Sequence, residues 1–355
     1  MHTQSNYIKD KPVFGFDIGH SSLKVMQLDL SHTKPRLVGY GSASFEEGAV
    51  ADGIIAEPEV IAKTTLNLFK NRLIGDITSR RVVMAIPSYR SYSRSIQLPN
   101  LKQKELNEAV RLEVEQYTPI PIDDLYIDYT LTSKTEDANE VFAVAIPRKI
   151  VDSYLTLTSL LNLELVLIET TMAAAARLFS RDTHSDIATV IIDFGSMSSD
   201  ISIFKGNVLV TGTIPAGGMV FTKSIAETLK VSESEASTIK NRYGLATSKR
   251  QKEITAALEP TLTQLAKEIR RMIRYYEDRY GNDHPIGQVI ALGGGANMPG
   301  LADHLTSELR LPVRTYDPWN YIDSHNFQEP GMADHPMFAT VAGLSMVNPH
   351  EVFKR

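Results

Sequence analysis

"VFGFDIGHSSLKVMQL", residues 13–28, sets an aspartate, Asp17, inside an otherwise apolar strand pattern and follows it with a glycine and two serines. Burying an unpaired carboxylate is costly, so an aspartate in this setting is held by a partner, by a cluster of backbone N–H groups or by a metal. Its surroundings favour the last two. Gly19 to Ser22 reads as a tight polar turn between two strands, and such turns present N–H groups and hydroxyls to an anion. The stretch "ATVIIDFGSMSSDISIF", residues 188–204, repeats the arrangement: Asp193 falls on Asp17, Gly195 on Gly19 and Ser198 on Ser22, while Asp200 replaces Lys24. One such turn has an ordinary reading, an aspartate that caps it. Two in matching strand contexts suggest two related domains facing one another. The chemistry then implied is a carboxylate at each strand end, Asp17 and Asp193, holding Mg²⁺ through its water shell while the turns take the phosphates of a nucleoside di- or triphosphate.

Size and composition agree with a folded protein of about two domains: 355 residues, 43% hydrophobic and 22% charged. The net charge of −5 and the lack of basic blocks argue against nucleic acid as a partner. The absence of cysteine excludes disulfides and thiolate metal sites and fits a reducing cytoplasm. The opening "MHTQSNYIKDKP" is polar, which predicts no signal peptide, and apolar runs are broken well before the ~20 residues that span a bilayer. Action at a membrane would therefore run through a partner.

Strands and helices alternate throughout, which predicts an α/β fold. Strands are expected at "PVFGFDIG", "LKVMQLDL", "PRLVGYGSASF" and "RRVVMAIP", with a helix over residues 57–72 whose Val60, Ile61, Leu66 and Phe69 follow helical spacing. Residues 88–167 read as an inserted module. It comprises a strand at "RSYSRSIQLP", a helix with Leu106, Val110, Val114 and Tyr117 on one face, strands at "LYIDYTL" and "VFAVAIP", a second helix over 148–162, and "LELVLI". A third glycine cluster, Gly293-Gly294-Gly295, lies between an apolar strand and a helix. Either it lets a base or ribose approach the backbone, or it is a tight strand-to-helix turn.

Taken in order, Asp17-Ile18-Gly19, "IETTMAAAARLF", "DFGSMSSDISIF", "ALGGGANMPGL" and "VAGL" resemble the phosphate 1, connect 1, phosphate 2, adenosine and connect 2 motifs of the actin, Hsp70 and FtsA superfamily. Within the inserted module, "LPNLKQKELNEAVRLEVEQYTPIPIDDLYIDY" and "VFAVAIPRKIVDSYLTL" resemble the PilM family of type IV pilus assembly proteins. The resemblance implies an actin-like ATPase fold of two related domains with an FtsA/PilM-type inserted subdomain. Its expected boundaries are 1–87 for the first part of subdomain 1A, 88–167 for the insert, 168–185 for the connect 1 helix, 186–219 for the first part of 2A, 220–286 for 2B and 287–355 for the rest of 2A. It implies ATP or ADP with Mg²⁺ as cofactor. Gly19, Ser21, Ser22, Lys24, Gly195, Ser198 and Ser199 would surround the phosphates, with Asp17 and Asp193 at the metal. Gly217, Gly218 and Lys240 complete the nucleotide set, and Gly293, Gly294, Gly295 and Asn297 would face the adenosine.

Glu169 stands where the Hsp70-like connect 1 motif has its acid, which positions the attacking water; as a helix-start acid it has a second reading. Met197 replaces a small residue of phosphate 2, Thr170 replaces a proline of connect 1, and Ser237 replaces the ribose-contacting acid, with Glu235 as a stand-in. These departures argue for nucleotide binding with at most slow hydrolysis. By the resemblance, the chain is a scaffold at the inner face of the cytoplasmic membrane. It would grip the N-terminal cytoplasmic tail of PilN, link the PilN and PilO platform to the pilus motors, and admit a homo-oligomer. The cleft for the tail is expected near Val82 to Pro87 and the helix Leu106 to Tyr117. The competing readings are an FtsA-like division protein, which would carry a terminal amphipathic helix where this chain has "VNPHEVFKR", and a sugar or acetate kinase of the same superfold.

Overall fold

A computed structural model describes residues 12–182, 184, 186–281, 284–324, 326–348 and 352. The opening residues 1–11 and most of the last seven, on which the readings about a signal peptide and a terminal amphipathic helix fall, lie outside the described residues. The chain forms two compact units. The first runs to Leu178 and regains Asn320–Glu329 and the chain from Thr340; the second holds Phe179–Trp319 and Pro330–Ala339.

In the first unit β1 (Phe14–Ile18), β2 (Ser22–Asp29) and β3 (Arg36–Ser44) form an antiparallel meander. A two-residue hairpin, β4 (Val50–Ala51) and β5 (Ile54–Ile55), leads to α1 (Pro58–Asn71), which opens with proline at its first position, where a missing N–H costs nothing. β6 (Ile74–Gly75) pairs with β3, and β7 (Arg81–Ile86) runs parallel to β1. The inserted module follows as β8 (Tyr92–Pro99), α2 (Gln103–Tyr117), β9 (Leu125–Lys134) and β10 (Ala138–Pro147). After it come α3 (Arg148–Leu160), β11 (Glu164–Thr170) and α4 (Thr171–Phe179). The main sheet has the order β11-β7-β1-β2-β3-β6. Its central strands are apolar on both faces because both are covered. On one side α1 and α3 bring Ile61, Leu68, Ile150 and Tyr154 onto Phe14, Phe16, Val25 and Met84. On the other, Val83 and Ala85 pack with Ala174 and Leu344.

The module is smaller than expected. Its sheet, β8-β10-β9, is covered by α2, through Leu106, Val110 and Val114 against Ile96, Leu98, Val141 and Ala143. The stretch "RKIVDSYLTL", expected in the module, forms α3 and buries Ile150, Val151, Tyr154 and Leu157 in the core of the main sheet. "LELVLI" becomes β11 and pairs in parallel with β7. An apolar helix face and strand look alike in sequence whichever sheet receives them, which is why the boundary was misplaced.

The second unit repeats the strand order. β12 (Thr189–Phe194), β13 (Ser199–Lys205) and β14 (Asn207–Ile214) form an antiparallel meander. After α5 (Gly218–Leu229), α6 (Glu233–Arg242) and α7 (Gln251–Tyr280), β15 (Gln288–Leu292) runs parallel to β12; α8 (Leu301–Leu309) and β16 (Val313–Thr315) close the sheet β14-β13-β12-β15-β16. Ser232 caps α6 by accepting the Glu235 N–H at 3.2 Å. In α7 the apolar residues Ile254, Leu258, Leu262, Leu265, Ile269, Met272 and Tyr276 recur every three or four positions and are buried against the sheet. The expected continuous block 287–355 is divided: α9 (Ala339–Ser345) carries the chain back to the first unit, where Ser345 Oγ donates to the Met26 carbonyl at 2.8 Å.

Candidate functional site

Both units place their candidate residues at the carboxyl ends of parallel strands, where ligands of α/β sheets characteristically sit. In the first unit these are the ends of β1, β7 and β11, since Phe16 is opposite Met84 and Glu169 opposite Ala85. Asp17 and Lys24 are register partners across the β1–β2 hairpin, and Lys24 Nζ lies 3.4 Å from Asp17 Oδ2 with both side chains nearly buried. The carboxylate that raised the question therefore has a cation as its immediate partner. The turn is closed by the Gly19 N–H donating to the Ser22 carbonyl at 2.8 Å, and Ser21 and Ser22 are half-buried beside it. Tyr154 of α3 is fully buried with its hydroxyl unpaired among the described residues. Burial, then the negative charge of Asp17, then Tyr89 push its pKa upward. Nothing in the sequence pointed to Tyr154, because only the packing of α3 on the main sheet brings it toward Asp17.

Glu169 ends β11 in a two-pronged ion pair: both carboxylate oxygens accept from Arg177, one of them at 2.7 Å from Nη2, and Nη1 also donates to the Gly343 carbonyl at 3.3 Å. A carboxylate so engaged is a weaker candidate for positioning water than sequence alone suggested. Arg177 was passed over in the sequence; its spacing from Glu169 crosses a strand-to-helix boundary and carries no periodic signal.

In the second unit Asp193, next to last in β12, is the register partner of Leu292, the last residue of β15, so it stands beside the glycine cluster that follows β15. The three glycines differ. Gly293 has φ +83°, and a Cβ there would lie 2.1 Å from Asp193 Oδ1; one at Gly295 would meet the Phe194 Cβ at 2.9 Å. Both are required for the turn to close on the end of β12. Only Gly294 is exposed and faces open space. Asn297, expected to face an adenosine, turns its amide to the Ala333 carbonyl, while the Gly293 N–H donates to the Pro336 carbonyl at 3.0 Å. Segment 330–339 thus buttresses the glycine turn.

The second phosphate turn packs on the start of α5. The Gly218 N–H donates to the Gly195 carbonyl and the Met219 N–H to the Ser196 carbonyl, each at 2.9 Å, and a Cβ at Gly217 would lie 2.3 Å from the Ser196 carbonyl oxygen. Ser198 is half-buried in this turn and Met197 is exposed. Ser199 is fully buried and its hydroxyl donates to the Ala216 carbonyl, so it supports the turn from behind. Lys240 Nζ donates to the Gly218 carbonyl and to Thr222 Oγ1, both at 2.9 Å, and burial lowers its pKa. Asp200 stands opposite Asp193 and accepts from Thr213 Oγ1 at 2.7 Å.

These residues fit a nucleotide. Gly294 offers exposed backbone without a side chain, and each unit sets a glycine–serine turn beside an aspartate at a strand end. Bound Mg²⁺ would supply charge neutralisation for phosphates, and in each unit considered by itself the carboxylate that could serve its water shell is the one near the strand end, Asp17 in the first and Asp193 in the second. The described residues contain no group of three or more His, Cys, Asp or Glu suited to hold a metal directly.

The chain matches a family model described as type IV pilus assembly protein PilM over residues 15–348. It belongs to that family. It is similar to a chain of the PilM–PilN type IV pilus biogenesis complex at 25% identity and a TM-score of 0.81, covering 97% of this chain and 99% of that one. The cell division protein FtsA of Bacillus subtilis (strain 168) is 25% identical over 92% of this chain and 81% of its own length. MreB5 of Spiroplasma citri bound to AMPPNP shares the fold at 13% identity, with a TM-score of 0.54 and 94% of this chain covered. The fold is the mixed α/β fold of actin-like ATPases related to FtsA. No helix among the described residues is long and apolar enough to cross a membrane.

Proposed function

We propose that this chain is a nucleotide-binding scaffold of the type IV pilus assembly machinery that grips the N-terminal cytoplasmic tail of PilN. It links the inner-membrane platform of PilN and PilO to the pilus motors and is held at the inner face of the cytoplasmic membrane through these partners. The observation that carries the reading is the family match over residues 15–348, together with the resemblance over nearly the full length to a chain of a PilM–PilN complex.

ATP or ADP with Mg²⁺ is the proposed cofactor. The turns at Gly19 to Ser22 and Gly195 to Ser198 take the phosphates, Asp17 and Asp193 serve the metal through water, and the backbone at Gly294 meets the adenosine. Lys24 supplies positive charge at the first turn, and Lys240 holds Gly218 and Thr222 at the start of α5. Hydrolysis is slow in this reading, because Glu169 is occupied by Arg177 and phosphoryl transfer depends on a positioned water.

The tail is proposed to add to a sheet edge of the first unit, with main-chain hydrogen bonds for affinity and alternate side chains for specificity. The earlier expectation of contact at Val82 to Pro87 does not survive the topology: β7 is paired on both sides, with β1 and β11, and fully buried. The Leu106, Val110 and Val114 face is likewise consumed by the module core. An edge that starts where the module leaves the main sheet is β8, which among the described residues pairs with β10 alone and exposes Arg94 and Gln97. Co-purification of the full chain with a PilN tail peptide, with and without ATP and Mg²⁺, tests the reading. Retention of the peptide, weakened by Arg94→Glu, is expected; no retention in either condition overturns it.

A further inference from the structure

Glu169 and Asp17 belong to one row of the main sheet. Glu169 is the register partner of Ala85 and Phe16 that of Met84, so carrying the β1–β7 register on by one residue sets Asp17 level with Ala85. The two carboxylates are therefore two strands apart, about 10 Å between Cα atoms at the usual strand spacing. They also share a face. Ala85 packs with Ala174 and Leu344 on the side of α4 and α9, and a Cβ at Gly15, two residues before Asp17, would meet the Val341 carbonyl oxygen and Leu344 on that same side. Phe16 and Ile168, which precede Asp17 and Glu169, pack on the opposite face with α1 and α3. Between the two acids the sheet offers only the methyl group of Ala85.

Each acid has a cation, held in a different way. Lys24 meets Asp17 through one oxygen at 3.4 Å. Arg177 takes both oxygens of Glu169, and its Nη1 also donates to the Gly343 carbonyl at 3.3 Å. A guanidinium fork matched to a carboxylate occupies the lone pairs that a water would use. Gly343 fixes the fork from α9, and α9 is in backbone contact with α4 there, since a Cβ at Gly343 would lie 2.0 Å from the Ala174 carbonyl oxygen. Arg177 is thus clamped between its own helix and α9, over the acid at the end of β11.

We infer that Arg177 is a restraint on hydrolysis: it keeps Glu169 from positioning a water toward the phosphates at the first turn, and its removal lets bound ATP turn over. The inference rests on the nucleotide reading proposed above and adds to it the residue that sets the rate. In the released state the water oxygen bonds to the terminal phosphorus, the bond from that phosphorus to the bridging oxygen breaks, and ADP and phosphate leave. One proton of the water passes to the freed Glu169 carboxylate and from there to solvent. Arg177 itself acts as a positioning residue, through Glu169.

The test measures phosphate release by the full chain at saturating ATP and Mg²⁺, with nucleotide affinity followed separately by calorimetry. Arg177→Gln is expected to raise kcat by roughly tenfold or more, toward the ~10²–10⁴-fold that a positioned base contributes, with KM and nucleotide affinity unchanged. Glu169→Gln in the same chain is expected to remove the gain. Arg177→Lys keeps the charge without the fork and is expected to fall between wild type and Arg177→Gln, which also guards against a variant that does not fold. Without nucleotide, the urea midpoint lost in Arg177→Gln is expected to be largely regained in the Arg177→Gln, Glu169→Gln double variant, because the stranded carboxylate is then gone. An unchanged rate in both Arg177 variants while nucleotide still binds, or a gain that survives Glu169→Gln, overturns the inference alone. A wild-type chain that binds no nucleotide overturns the nucleotide reading and the inference together.

Discussion

At Asp17 an observed ion pair meets a proposed metal role. Its carboxylate faces Lys24 across the hairpin, and breaking a buried pair by removing one member leaves the other charge stranded. Asp17→Ala is therefore expected to lower stability by about 3–5 kcal/mol in urea unfolding. The double variant Asp17→Asn, Lys24→Met is expected to recover more than half of that loss while still lacking Mg²⁺-dependent nucleotide binding. If the double variant is no more stable than the single one, the pair is not what holds Asp17. Lys240 acts at the second turn without facing a ligand. Lys240→Met removes two hydrogen bonds from the first turn of α5 and should cost roughly 1–3 kcal/mol and loosen nucleotide binding, both measurable by calorimetry. The residue scale is also where sequence reading was thinnest. The aspartate, glycine and serine positions were legible because strand ends and turns have their own residue types. The roles of Arg177, Tyr154 and Asn297 were not, since each depends on a partner brought close only by packing.

At the scale of elements, periodicity located the main strands of the first sheet and of the module, but not the short strands β4, β5, β6 and β16 or the third strand of the second meander, β14; the repeated aspartate turn disclosed that two sheets share one plan. It could not assign α3 and β11 to their sheet, because burial on both faces of the main sheet makes its covering helices and edge strands as apolar as those of the module. The returning segment Asn320–Glu329 was similarly invisible: it is held to β3 by the Leu37 N–H donating to the Asp323 carbonyl at 2.9 Å and by Tyr40 Oη donating to the Gln328 carbonyl at 2.6 Å. Burial, reinforced by Glu329, raises the Tyr40 pKa from 10.0 to about 12. A phenol whose pKa is raised on folding contributes stability that is fully present below pH 10 and is lost as pH climbs toward 12. Comparing wild type with Tyr40→Phe across that window should show the wild type losing more stability than the variant. Parallel stability curves would mean that the tyrosine does not anchor the segment.

For the molecule as a whole, the proposed scaffold joins a nucleotide fold to a small module with β8 at an edge of its sheet, and neither half acts alone in that proposal. Nucleotide can bias tail binding only by its differential affinity for two arrangements of the chain, so its effect is bounded by that difference. The basal rate of hydrolysis is expected to be at most roughly a few turnovers per hour, far below the ~1–100 s⁻¹ of kinases, and a fast rate abolished by Glu169→Ala would instead place the chain among enzymes proper. The most direct test of the central claim is isothermal titration of the full chain, loaded with ATP and Mg²⁺, with a synthetic peptide of the PilN cytoplasmic tail. The account predicts saturable one-to-one binding that Arg94→Glu on β8 weakens; an absence of heat at every peptide concentration, with the same chain shown to bind nucleotide, would contradict it.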